Sequence, residues 1–95
     1  MKAGAGSILE KGKKTIFQEA ERLVNGPRQK MYGHPKVNLN KIARMWSAYL
    51  GVIVTERDVC WMMALLKGAR AAATHHRDAL VDAVGYLRLI EMLED

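Results

Sequence analysis

Two groups of residues in this sequence carry side chains able to do chemistry. The first is an eleven-residue stretch, Asn25-Gly26-Pro27-Arg28-Gln29-Lys30-Met31-Tyr32-Gly33-His34-Pro35, which holds both prolines of the chain. Arginine forks onto phosphate oxygens and lysine supplies a point charge. Tyrosine offers a stacking face with a polar tip, and histidine hydrogen-bonds near neutral pH. Arg28, Lys30, Tyr32 and His34 together therefore suit a phosphorylated aromatic ligand.

The second group is Lys67, Arg70, His75-His76-Arg77, Asp78 and Asp82. Asp78 and Asp82 lie four apart, on one face of a helix, where they can share a metal or pair with cations. A divalent ion carrying phosphates usually takes more carboxylates than two. Glu56 and Asp58, two apart, do not make a second facing pair. Salt bridges from Asp78 and Asp82 to Lys67, Arg70 or Arg77 are the plainer expectation. Adjacent histidines point in different directions, so His76 is expected to touch a phosphate or base and not to complete a metal site. Under the binding reading Lys67 and Arg70 join Arg28 and Lys30 on the phosphates, and no cofactor is needed.

Several chemistries have no pattern to rest on. Neither G-x-x-x-x-G-K-[ST] nor G-x-G-x-x-G occurs, and Ser7 and Ser47 have no base near them in sequence. No helix carries the dense Arg, Lys, Asn and Gln face of a recognition helix, so nucleic acid is not the expected partner. The lone Cys60 sits among Val59, Trp61 and Met62 and reads as a buried structural thiol, which fits a reducing compartment. No run nears the roughly 20 apolar residues of a membrane span, so the expected location is the cytoplasm. The net charge of +5 is uneven: residues 1–50 carry ten Lys or Arg against three Glu, residues 51–95 five against seven acids. A basic half of this kind favours an anionic partner.

Helices must position these groups. Hydrophobic residues make up 49% of the 95 residues and aromatics only 6%, which suits an all-α, compact bundle of about four helices. Residues 1–14, with three glycines and four lysines, read as a mobile basic arm, and 15–95 as a single helical domain. Thr15 and Gln18 form a capping box for a helix over about 15–25, stopped by Asn25-Gly26. Val37, Leu39, Ile42, Met45, Trp46 and Tyr49 predict a second helix closed by Gly51. Thr55 caps a third, with Asp58 in its first turn. That helix has so little polar face between Val59 and Ala69 that it is expected to be the buried central one. A fourth spans about 77–93, and its apolar residues cover more than one face. In a chain that buries only about 60–65% of its surface alone, this excess points to a homo-oligomer formed through helix 77–93.

Further motifs resemble a known family. Asn25-Gly26, Arg28, Tyr32-Gly33, Pro35 and Asn38 are followed by Trp46-Ser47-Ala48-Tyr49-Leu50-Gly51, Leu66-Lys67, Ala69-Arg70, Asp78, Leu80-Val81-Asp82 and Gly85-Tyr86. This ordered set, spread over roughly residues 17–90, resembles small phage and prophage proteins grouped as a domain of unknown function. The resemblance implies a viral origin, and with it the cytoplasm of an infected bacterial host, but no activity. A weaker likeness is to the all-α nucleotide pyrophosphohydrolases of the MazG type, small helical oligomers that hold magnesium over a nucleoside triphosphate. That likeness rests on Asp78 and Asp82 after Lys67 and Arg70, and the paired-glutamate E-x-x-E helix of those enzymes is missing. The leading expectation is a phage-encoded protein that binds a nucleotide without turning it over, as a sponge for immune second messengers. The alternatives are a magnesium-dependent pyrophosphohydrolase using Asp78 and Asp82, or an inhibitor that binds a host protein.

Overall fold

A computed structural model describes residues 13–26, 29–30 and 33–94. Among them lie four α-helices: α1 (Ile16–Asn25), α2 (Pro35–Leu50), α3 (Glu56–Thr74) and α4 (Arg77–Leu93). The all-α expectation therefore holds. The arm expected over residues 1–14 lies, apart from Lys13 and Lys14, outside the described residues.

Local capping sets the helix boundaries. At α1, Gln18 N–H donates to Thr15 Oγ1 (3.1 Å) while Thr15 N–H donates to Gln18 Oε1 (2.9 Å), so two backbone donors without helical partners are satisfied reciprocally. Thr55 and Asp58 repeat the arrangement at α3, at 3.1 and 3.0 Å. The bonds to Thr55 hold the Asp58 carboxyl below its ordinary value of 3.8. Pro35 opens α2, where its missing N–H costs nothing. Gly51 closes that helix in the left-handed region (φ 74°) and donates to the Ser47 carbonyl at 2.8 Å.

The link to α3 is fixed by one side chain. Ser47 Oγ accepts the Val54 N–H at 2.7 Å, and its own proton lies within reach of the carbonyls of Ala43 (2.7 Å) and Val54 (3.1 Å). The bond turns the extended link back onto the bundle and buries Val54. Val54 joins Leu39, Ala43, Val59 and Cys60 in the core, with Trp46, Met63, Leu89, Ile90 and Leu93 packed around them. Burial raises the Cys60 thiol to about 11, and the expectation of a structural cysteine is met.

Helices α3 and α4 form an antiparallel hairpin. Arg57 pairs with Glu94 at one end (2.9 Å) and Lys67 with Asp82 further along (2.9 Å). Its turn is only His75-His76, with His75 left-handed at φ 54°. Helix α1 runs parallel to α4: Arg77 donates to the Lys14 carbonyl near the starts of both, and Arg88, about three turns further along α4, donates to Glu21, both at 2.9 Å. Helix α2 packs on both α3 and α4.

The central helix is thus α4, which packs against the other three, and not α3 as the sequence suggests. Val59, Cys60, Ala64 and Ala71 bury one side of α3, yet Leu65 is 68% and Trp61 48% exposed. Weak polarity along a helix does not reveal which neighbours cover it. Apolar faces of α4 pack against α1, α2 and α3, with Leu80 and Leu87 left exposed.

Candidate functional site

Where α1, the start of α2 and the middle of α4 converge, they border a half-open cavity of about 450 Å³. That volume falls within the range of small-molecule sites, which combine apolar walls with a few placed polar groups. Leu23, Val24, Leu39, Ile42 and Leu89 supply apolar wall. Polar groups come from Gln29 and Gly33 of the connecting loop, Asn38 of α2, and Asp82 and Tyr86 of α4.

The sequence places each polar group by simple geometry. Asp82 and Tyr86 stand one helical turn apart, so both side chains leave α4 on the same face. Between them Gly85 removes a side chain where α1 comes close: a Cβ there would meet Val24 Cγ2 at 3.6 Å. Asn38 sits in the first turn of α2, anchored by buried Pro35 and Leu39. Gly33 takes φ 84°, a conformation that side-chain-bearing residues resist, and its N–H donates to the Gln29 carbonyl at 2.7 Å. Gln29 and Gly33 therefore stand together at the cavity wall.

Asp82 is neutralised. Lys67 Nζ lies 2.9 Å from its Oδ2, and the two side chains are 20% and 18% exposed. An ion pair this sheltered is screened far less than a surface pair. Lys30 lies beside the cavity: it lines a shallow hollow with Asn25 and Gly26, and Gln29 lines both spaces.

The residues singled out in the sequence meet varied fates. Arg28 and Tyr32 lie outside the described residues. The loop and the Asp82 end of the second group do share one cavity, through Gln29, Gly33 and Asp82. Lys67 reaches it only through Asp82. His34 is the N-cap of α2, its Nδ1 accepting the Lys36 N–H at 3.0 Å, so a local structural role accounts for that nitrogen. His76 stands exposed at the cap position of α4 without a side-chain cap bond, and Arg70 is exposed near the end of α3. Neither lines the cavity. Asp78 is exposed in the first turn of α4, and among the described residues no three His, Cys, Asp or Glu side chains gather as metal ligands. Gln29, Asn38 and Tyr86 are cavity residues that the sequence reading passed over. The signal for Tyr86 was its i,i+4 spacing from Asp82, hidden because tyrosine also counts as a core residue.

A family model for a domain of unknown function, DUF6378, matches residues 15–94. The chain belongs to this family. Within the DUF6378 match the whole four-helix unit is covered, from the Thr15 cap to the end of α4. The chain is 41% identical over 80 residues to the gene 55 protein of Mycobacterium phage D29, across 83% of this chain and 53% of that protein. It is 42% identical over 82 residues to the gene 55 protein of Mycobacterium phage L5, across 84% and 53%. The chain thus spans about half the length of the curated relatives it matches, and both come from phages. No solved structure matches it significantly. Among the described residues no helix is long and apolar enough to cross a membrane.

Proposed function

We propose that this DUF6378 protein binds a nucleotide or nucleotide-derived signal without hydrolysing it. The observation that carries the reading is the cavity of about 450 Å³ shared by Gln29, Gly33 and the Asp82–Tyr86 face of α4. Its apolar walls accept the faces of a base, and the Asn38 and Gln29 amides offer donors and acceptors to base edges. Tyr86 contributes an aromatic face of the kind expected of Tyr32 from the sequence. Phosphates would extend toward Lys30, whose hollow adjoins the cavity at Gln29. In a phage protein such binding would withdraw the ligand from the host, the action of a sponge.

Binding is favoured over magnesium-dependent hydrolysis because Asp82 is already paired with Lys67 and Asp78 is exposed away from the cavity lining. A carboxylate neutralised by an ammonium at 2.9 Å is a poor ligand for a phosphate-bound cation. The test is calorimetric titration of the purified protein with nucleoside mono- and triphosphates and cyclic oligonucleotides. Saturable heat that is lost in Asn38→Leu, with the nucleotide recovered intact, supports the proposal. Absence of heat with every member of the panel refutes it, and release of pyrophosphate selects the enzyme instead.

A further inference from the structure

The outward side of α3 is an apolar surface that no described element covers. At about 100° per residue, Gly68, Trp61, Ala72, Leu65, Ala69, Met62, Ala73 and Leu66 fall in that order within one arc of about 160°. All eight are exposed. The only charged residue within the arc is Asp58, in the first turn, and its carboxylate is folded back onto the Thr55 N–H. The opposite side of α3 faces α4 and α2 through Cys60, Ala64, Lys67, Val59 and Met63, so no element of the described fold covers the arc.

Size is distributed along this face in a way that selects its occupant. The large residues Trp61, Met62, Leu65 and Leu66 occupy the N-terminal half; the small ones, Gly68, Ala69, Ala72 and Ala73, occupy the C-terminal half. A surface that is convex at one end and flat at the other is complementary to its own reverse. Two copies related by a two-fold axis near residue 67, with their α3 helices antiparallel, set Trp61 and Met62 of each over Ala72 and Ala73 of the other. Two-fold contacts are isologous, so both halves of the pairing form at once. The small residues also let the helix backbones approach closely.

The exposed parts of Trp61 (48%), Met62 (44%), Leu65 (68%) and Leu66 (43%), with the four exposed small residues, offer at most about 600 Å² per subunit. Two such faces can therefore bury up to about 1,200 Å², the lower edge of stable specific interfaces. We infer that the protein is a two-fold homodimer joined by antiparallel α3 helices. This interface lies on α3 and not on the 77–93 helix favoured by the sequence, and it does not depend on the proposed ligand.

Sedimentation equilibrium of the full chain at about 100 µM, well above a micromolar Kd, should give twice the subunit mass of 10.7 kDa. Two variants then test the face. A Cβ at Gly68 meets nothing within 4 Å inside the subunit, so Gly68→Leu should fold with an unchanged circular dichroism spectrum yet sediment as a single copy. Leu65→Glu should do the same by placing a charge in the contact. For orientation, an equimolar mixture of Trp61→Cys and Ala72→Cys proteins should oxidise to the mixed disulfide in preference to either self-linked species, while buried Cys60 stays out of the exchange. A single-copy mass for the unaltered chain overturns the inference, as do three or more copies. So do a dimer that survives both substitutions and a preference for self-linked products.

Discussion

The Lys67–Asp82 pair joins the hairpin to the cavity, and its worth can be measured. Asp82→Asn keeps the size of the side chain and removes its charge, leaving the Lys67 ammonium in a place only one-fifth open to water. Breaking a fully buried pair by removing one partner costs about 3–5 kcal/mol, whereas an exposed pair is worth about 0–1 kcal/mol. At one-fifth exposure the cost should lie between these limits, at about 2 kcal/mol. For a domain of this size that lowers the Tm by about 8–16 °C. Lys67→Met alone should cost a similar amount, because it strands the carboxylate instead. The double variant leaves neither charge behind and should recover part of the loss, giving a coupling energy of about 1–2 kcal/mol.

Urea unfolding followed by circular dichroism reads these differences, provided the slope m is the same in all four proteins. Protein concentration must be held fixed, since self-association adds its own stabilisation by mass action. A coupling below about 0.5 kcal/mol would refute the reasoning: the pair would then be behaving as a solvated surface contact, and Asp82 would not be neutralised at the cavity wall.

Three further outcomes follow from the packing. Ser47→Ala removes the hydroxyl that holds Val54 N–H and should cost about 1–2 kcal/mol in the same urea experiment, whereas Ser47→Thr should keep most of the bond. Cys60, fully buried and with its thiol raised to about 11, should react with iodoacetamide at pH 8 only as fast as the protein opens, and at the rate of a free thiol in urea. On the acid side, Asp58 titrates below 3.8 in the folded protein. Its stabilising contribution is present above the unfolded value and is lost as pH falls through the folded one. Asp58→Asn, which keeps an acceptor for the Thr55 N–H but cannot titrate, should therefore flatten the decline of Tm between about pH 5 and pH 2 relative to the unaltered chain.

What could be read from the sequence was whatever is decided within a few residues. Caps are of this kind: Thr15 with Gln18, Thr55 with Asp58, and Gly51 each satisfy backbone groups three or four positions away, so the helix boundaries were legible. His34, whose Nδ1 accepts the Lys36 N–H, belongs to the same class, although in sequence a histidine that caps a helix and one that contacts a phosphate look alike. The central helix was not legible. Polarity along α3 and α4 is similarly low, and choosing between them requires knowing that α1 returns to lie along α4. Of the candidate site, the Lys67–Asp82 bridge was among the expected pairings, because both its ends carry charge. The cavity walls were hidden, because Leu39, Ile42 and Tyr86 have the residue types of an ordinary core.

The neutrality of the inner site constrains what it can hold. Among the described residues, Asp82 is the one ionisable side chain in the cavity lining apart from Tyr86, and its charge is offset by Lys67. The buried part of a ligand there meets amides, a phenol and apolar walls, an environment that penalises an unpaired charge. Charge is instead accommodated outside, where Lys30 and Lys36 are exposed. A ligand with a flat neutral body and an anionic extension matches this division, whereas free inorganic phosphate matches only its outer part. Under the proposed function, removing Lys30 should weaken binding in a salt-dependent way and leave base preference intact. Changing Asn38 should alter which base is preferred and leave the salt dependence unchanged.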